Sequence, residues 1–350
     1  MAITKFIPEV WSASLLSALD KSLVFGSLAN RNYEGDINEY GDTVHITNIA
    51  DPTIAPYTRN TNLDDPEALT DAEQLLVIDK ANSINFQVDD IDKAQVRNSG
   101  ALMSEATQRA GFGLRDQADR FLADRIAQSA GSALGVVDGT TASNVYDKLF
   151  VPASVALDEA NVPEEMRWMV LSPSAYGKVQ LDDRFIKANE SGSDALHNGR
   201  VGDAAGFRIY KSNNAAQGNR TGITATTTTG SKTITAPAGT FSQADVGLSI
   251  AGTGVGASSN VVDTVNADGS SIEVTTNSSA SATVTDVALS GGGQAAYFGS
   301  SIGLTYAQQI LEVVAYRPEK RFADALKGLH VFGGKATRAE ALGVASVKTA

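Results

Sequence analysis

The chain has 350 residues, of which 42% are hydrophobic and 19% charged, with a formal net charge of −12 and a pI near 4.7. That length holds two domains, or one domain with an insertion, and the apolar share is enough for a buried core. The acidic balance argues against nucleic-acid binding by general electrostatics, and the lack of cysteine excludes disulfides, thiolate metal sites and cysteine nucleophiles.

The N-terminus, Met1-Ala-Ile-Thr-Lys-Phe-Ile-Pro, lacks the basic and apolar regions of a secretory signal, and no stretch approaches the ~18–20 apolar residues of a membrane helix. Pro8 opens a helix over about 8–25, because proline suits a first helical turn. Trp11, Leu15, Leu19 and Leu23 recur every four residues, giving an apolar stripe that packs on its own domain or on a neighbouring subunit. Alternating β-branched residues predict a strand at 43–49. Asp51 to Ala72 is a long irregular stretch with three prolines and the acids Asp64, Asp65, Glu67 and Asp71. A second strand follows over 74–90, so the two strands form an extended hairpin excursion, and loops of that length are often functional.

Residues 101–130 carry the strongest helical period, with Leu102, Ala106, Ala110, Leu114, Ala118, Phe121, Leu122 and Ile126 on one face. Glu105/Arg109 and Asp116/Arg120 are acid-then-base pairs four apart, and Gly111 and Gly113 predict a bend. Beyond it, 148–160 reads as helix, Arg167 to Pro173 as a buried strand, Ser174–Leu181 as helix and 206–214 as strand.

Residues 218–293 differ in composition from both flanks. Thr221 to Ser290 contains fifteen threonines and six charged side chains. Alternating segments beginning at Lys232, Gly247, Asn260, Ser271 and Ala282 predict five or six short strands, hence a small β-sandwich or barrel. A chain that carries such a module between two halves of one fold needs both of its ends to meet at the surface, which suits a structural scaffold. The chain resumes at Gln294. Ala307–Ala315 reads as a strand or short helix, Gly328–Arg338 reads as a glycine-interrupted strand, and Glu340 closes the fold.

One catalytic pattern is present. Gly299-Ser-Ser-Ile-Gly303 fits G-x-S-x-G, with Asp324 and His330 following in hydrolase order. A nucleophile elbow needs a strand before it, a helix after it and a large sheet. The 47 residues after Gly303 are too few for the rest of that sheet, so a turn is the better reading. His45, His197 and His330 lack metal-ligand spacing, and Gly252-Thr-Gly-Val-Gly256 lacks the Lys-Ser/Thr and helix of a phosphate loop. The acids beginning at Asp89 lack calcium-loop spacing. No cofactor or metal site is expected.

Outside 218–293 the ordered segments resemble the major capsid proteins of tailed bacteriophages, the Hong Kong 97-type fold. Pro8-Glu-Val-Trp-Ser resembles that family's N-terminal arm. Tyr33 to Ile46 and Leu76 to Asp92 resemble the strands into and out of its extended loop. Residues 101–130 resemble its spine helix. Leu157-Asp-Glu-Ala-Asn-Val-Pro, Val170-Leu-Ser-Pro and Gly206 to Asn214 resemble its axial domain, and Phe322 to Arg338 its closing strands. The resemblance implies an α+β capsid fold with an inserted, Ig-like β domain. Its divisions are an N-terminal arm (1–35), extended loop and flanking strands (36–90), peripheral domain with spine helix (91–145), first part of the axial domain (146–217), inserted β domain (218–293) and closing strands (294–350).

The same resemblance implies a non-enzymatic subunit that assembles with itself as pentamers and hexamers into an icosahedral shell around packaged DNA, in the virion, after assembly in the host cytoplasm. Expected partners are a separate scaffolding protein, since the chain begins at its arm, and a portal; no membrane is involved. The insert is expected on the outer surface, where deleting 219–292 leaves assembly largely intact. Trp11, Arg59, Asp64, Asp65 and Glu67 are the expected inter-subunit contacts. Some family members crosslink through a lysine of the extended loop, but residues 31–79 contain none. Alternatives are an encapsulin-type compartment and a phage tail or adhesin component.

Overall fold

The computed structural model describes residues 24–32, 43–49, 59, 71–90, 99–182, 184, 202–215, 219–256 and 260–349. A single helical turn, α1 (Phe25–Leu28), precedes a two-stranded antiparallel hairpin, β1 (Thr43–Ile49) and β2 (Asp71–Val77). The predicted strand over 74–90 is two strands. The chain leaves β2 at buried Ile78 and exposed Asp79 and enters β3 (Lys80–Asp89), which pairs elsewhere. Alternation continues across the break, so periodicity does not reveal the change of sheet.

The long helix α2 (Ser99–Ser129) is continuous through Gly111 and Gly113. Its buried stripe is Leu114, Ala118, Leu122, Ala123, Ile126 and Ala127, joined by Thr107 and Asp119. Ala106 and Ala110 are half-buried, because the stripe drifts round the helix towards its N-terminus. Of the predicted pairs, Asp116 and Arg120 meet at 2.9 Å.

After β4 (Ser132–Asp138), helix spans α3 (Ala142–Val145), a π-helical turn at Tyr146–Phe150 and α4 (Val151–Glu159), beginning six residues before the predicted 148. Next come β5 (Arg167–Leu171), α5 (Pro173–Gln180), β6 (Asp203–Ala204) and β7 (Phe207–Lys211). Pro173 is the first residue of α5 and does not merely end a strand: Ser172 caps the helix by accepting from the Ala175 amide, and proline has no donor to lose there.

The Thr/Ser-rich region forms β8 (Arg220–Thr227), β9 (Thr233–Thr235), a 3-10 turn at Gln243–Asp245, β10 (Ser249–Ala251), β11 (Val262–Val265), β12 (Ser271–Val274) and β13 (Ala282–Ser290). They make one sheet in the order β10-β13-β8-β9-β12-β11. Its alternate residues Ile223, Ala225, Ile234, Ile272, Val274, Val287 and Leu289 bury a core of their own. Threonine suits the opposite face because a β-branched side chain favours the strand while its hydroxyl stays in water. Arg220 pairs with Leu289, and Asn219 Oδ1 accepts from the Gly292 amide at 3.1 Å, so the two ends of the region lie side by side.

The chain ends with β14 (Gln294–Ser300), the long strands β15 (Leu304–Tyr316) and β16 (Ala323–Ala336), and β17 (Leu342–Lys348). Ala307–Ala315 is therefore strand, and the glycines of β16 do not interrupt it. Five strands were not named from the sequence, β4, β6, β8, β14 and β17, and of these β4 and β17 lie side by side. They pair in parallel at one edge of a six-stranded mixed sheet, β4-β17-β14-β5-β7-β6.

Both faces of that sheet are covered. Trp168, Val170, Tyr297 and Val344 face the core beneath α2; Met169, Leu171, Phe298 and Val347 face the core beneath α4 and α5. Covered faces explain why β5 and β17 are apolar runs without alternation. A separate three-stranded sheet, β15-β16-β3, extends from this body.

Candidate assembly surfaces

Asp119 on α2 is 4% exposed and joins three distant segments. Its Oδ1 accepts from the amides of Val24 at 3.1 Å and Phe25 at 3.0 Å, and its Oδ2 accepts from Asn214 Nδ2 at 3.1 Å. The carboxylate thus caps the turn α1 from another helix. Phe25 then packs edge-on against Tyr297, with ring centroids 5.3 Å apart. Burial raises the Asp119 pKa above the usual carboxylate range, against the pull of those three hydrogen bonds.

The three-stranded sheet has two chemically different ends. At one end, the turn from β15 to β16 carries Arg317, Glu319, Lys320, Arg321 and Phe322, all exposed, Phe322 to 81%. Arg317 is ion-paired with Asp90, and the Phe322 carbonyl accepts from the Asp90 amide at 3.0 Å. Neither Lys320 nor Arg321 has an ion-pair partner among the described residues.

The β1–β2 hairpin leaves from the other end. Ile78 lies against Gly333, Lys335 Nζ donates to the Leu75 carbonyl at 3.0 Å, and Gln74 Nε2 donates to the Thr337 carbonyl at 3.3 Å. Passing back along β2 therefore means passing along β16 away from its Ala323 end. The fourteen residues of β16 separate the two ends by about 45 Å at ~3.3 Å per residue. Arg125 fixes the hairpin root, with Nη2 3.2 Å from Asp79 Oδ2 and its guanidinium over the Phe121 ring. Leu76 and Ile78 are buried there, whereas Leu75 and Val77 are 44% and 45% exposed.

A third surface lies on the helical layer. Val151 and Val155, one turn apart on α4, are exposed, and nearby Arg184 holds both Asp147 oxygens, at 2.6 and 3.2 Å, while lying over the Tyr146 ring. That pair holds the Asp147 carboxyl below the usual carboxylate range.

Of the residues expected at subunit contacts, Arg59 is exposed in a turn. Trp11, Asp64, Asp65 and Glu67 lie outside the described residues, as do His197 and the helix predicted over about 8–25 except for Val24 and Phe25. The basic turn at 317–322 and the Asp119 node were not singled out from sequence. The Arg-Pro-Glu-Lys-Arg-Phe run in an acidic chain was the available signal for the first; the second had none, since an aspartate on a helix face looks solvated.

Gly299 to Gly303 connects strand to strand, with Ser300 ending β14 and Leu304 beginning β15. The Ser301 hydroxyl donates to Met166 Sδ at 3.4 Å. His330 is fully buried in β16, its Nε2 3.3 Å from Gln308 Oε1, and Asp324 stands opposite Val88. The three residues form no triad. In the Gly252–Gly256 turn, Asp286 of β13 accepts from the Thr253 amide and hydroxyl, so those donors are already taken. No cluster of three or more potential metal ligands occurs among the described residues, and no helix among them is long and apolar enough to cross a membrane.

The architecture is shared with solved structures from phages. One from Mycobacterium phage Che8 superposes with a TM-score of 0.61 at 23% identity, over 93% of this chain and 91% of that one. The capsid structure of cyanophage P-SCSP1u gives 0.59 at 18% identity, over 94% and 89%. This chain has the phage capsid protein fold. The mature capsid of bacteriophage PhiM1 gives 0.54 at 13% identity, over 92% and 88%. No family model matches the chain, and no curated protein matches it in sequence.

Proposed function

We propose that this chain is the major capsid protein of a tailed bacteriophage, a structural subunit without enzymatic activity. Its copies assemble as pentamers and hexamers into an icosahedral shell that encloses DNA in the virion. The observation that carries this reading is the phage capsid fold across more than nine-tenths of the chain, matched to similar coverage of its structural neighbours. The arm is 1–35 and the extended loop with its strands is 36–90. The peripheral part, 91–145, holds the spine helix α2. The axial part begins at 146–217, and the closing strands are 294–350. Region 218–293 is an inserted, Ig-like module on the outer face.

The surfaces fit that role. The hairpin projects from one end of the subunit, where it reaches a neighbour, and the Val151/Val155 ridge offers apolar area to another. Association through unlike patches closes rings, and many modest contacts per subunit add up to a stable shell. Partners are further copies of the chain, a scaffolding protein and a portal, with packaged DNA held inside without sequence-specific binding, after assembly in the host cytoplasm. Negative-stain electron microscopy of the protein expressed with its neighbouring genes tests the reading. Closed shells containing DNA, with a knob on each subunit, are expected. Compact small particles, open tubes, or shells filled with a cargo protein would overturn it.

A further inference from the structure

Two methionines stand three residues apart, one in β5 and one just before it, in opposite surroundings. Met169 is fully buried in the core beneath α4 and α5. Met166 is 69% exposed and takes φ +62°, in the left-handed region that non-glycine residues rarely adopt. The loop that presents it is held from beneath by Arg167, whose side chain is 2% exposed. Arg167 Nη2 donates to the Val162 carbonyl at 2.5 Å and to Asp158 Oδ1 at 2.7 Å, and Nε donates to the Pro163 carbonyl at 3.2 Å. Buried, charge-assisted hydrogen bonds thus pin the backbone that carries an exposed thioether.

Sheet register brings a hydroxyl to this sulfur. Ser300 of β14 pairs with Arg167 of β5, so the next residues past the end of the ladder, Ser301 and Met166, face each other. The Ser301 hydroxyl donates to Met166 Sδ at 3.4 Å. This is the serine of the Gly299–Gly303 pattern, which has no triad to serve. A thioether sulfur has two lone pairs. One receives the Ser301 proton, and the exposure of Met166 leaves the other to solvent.

We propose that Met166 is a site of oxidation by peroxides, and that Ser301 directs the reaction to one of the two sulfoxide epimers. The open lone pair attacks one oxygen of hydrogen peroxide. The S–O bond forms as the O–O bond breaks, and the departing hydroxide takes the proton of the transferred oxygen to leave as water. Sulfur gives up two electrons, which reduce the peroxide, and becomes a stereocentre. Its configuration is set by which lone pair Ser301 occupies. Ser301 is a positioning residue and exchanges no proton in the step. Ile302, next to Ser301, is 40% exposed, so oxidation replaces half of an exposed apolar pair with a polar, chiral group. The inference goes beyond the capsid reading and does not depend on it.

Purified full-length protein treated with dilute hydrogen peroxide tests it, with sulfoxide at Met166 and Met169 followed by peptide mass spectrometry. Met166 is expected to oxidise at least about tenfold faster than Met169. The epimer ratio at Met166 is then read on the digested peptides with the two methionine sulfoxide reductases, each of which reduces one epimer. Folded wild type is expected to give one epimer in about fourfold excess, the bias that one weak hydrogen bond supplies. Wild type oxidised in denaturant, and folded Ser301→Ala, are expected to give the two epimers equally. Oxidation of Met169 as fast as Met166 in the folded protein would overturn the site. Equal epimers from folded wild type would overturn the role of Ser301, as would an unchanged bias in Ser301→Ala. Denatured wild type removes the hydroxyl contact without a substitution, so the comparison stands even if the variant folds poorly.

Discussion

Asp119 shows how one buried carboxylate joins three distant segments of the chain. Asp119→Ala leaves two backbone amides, those of Val24 and Phe25, without acceptors, each worth about 1–3 kcal/mol when buried. A loss of about 2–4 kcal/mol in chemical denaturation is expected. Asp119→Asn should lose less than about 1 kcal/mol, since its amide oxygen serves both amides and Asn214 can turn its own oxygen inward. His330 makes the second prediction at this scale. Gln308 Oε1 accepts from the Tyr306 hydroxyl at 2.7 Å and from His330 Nε2, and Nδ1 has no partner. Burial lowers the His330 pKa to about 4. The unfolded chain therefore takes up this proton first, so the contribution is full above ~6.5 and is lost as pH falls towards about 4. His330→Gln should reduce the difference in unfolding free energy between pH 7 and pH 4.5 by about 2.5 kcal/mol. Asp119 and Asp245, raised by burial, act with the opposite sign in both proteins and cancel in that comparison.

At the scale of elements, the Thr/Ser-rich sheet is bound tightly to the body. Ala244, in the 3-10 turn Gln243–Asp245, is buried in the core beneath α2, while Val136 of β4 packs on the sheet's own core. Arg220 holds that turn through Asp245, at 2.5 Å, and the Thr240 carbonyl, at 2.9 Å. Gly247 has φ +81°, and a Cβ there would stand 3.0 Å from the Val136 amide nitrogen, so glycine is required at the contact. Deleting 219–292 consequently removes part of the body's core along with the module, which bears directly on the expectation that deletion spares assembly. A subtler probe is Ala244→Glu. Burying that carboxylate should cost about 2–4 kcal/mol and increase hydrogen exchange in α2 near Ala123–Ala127. Unchanged protection there would mean that the turn is not a structural joint.

For the whole molecule, the lysine distribution makes a covalent prediction. Residues 31–79 contain no lysine. Lys80 sits at the hairpin root, 3.9 Å from Asp79, with its ammonium over the Phe121 ring. No lysine amine is therefore present between residues 31 and 79 to bond a neighbour. Assembled protein should run on denaturing gels as a single band near the 36.5 kDa monomer, and a ladder of multiples would refute this. The acidic balance acts at this scale too. A net charge of −12 opposes general attraction to polyanions, and salt limits the reach of any local basic turn to ~8–10 Å.

Much was legible in the order of residues. The 3.6-residue period of 101–130 determined the long helix, and strict alternation determined β1, β3 and the strands of the Thr/Ser-rich sheet, because these patterns follow from backbone geometry over a few residues. Continuous apolar runs were harder. Arg167–Leu171 was recognised as a buried strand, whereas Leu342–Lys348 was missed although it is paired on both sides in the same sheet. Only the tertiary structure decided that β17 pairs with β4 and β14, that the chain changes sheet at Ile78–Asp79, and that Asp119 meets Val24, Phe25 and Asn214. It also decided that the basic turn at 317–322 and the root of the β1–β2 hairpin lie towards opposite ends of β16. Those outcomes depend on which distant segments bury one another's surfaces and satisfy one another's hydrogen bonds, a long-range choice that local propensity does not encode.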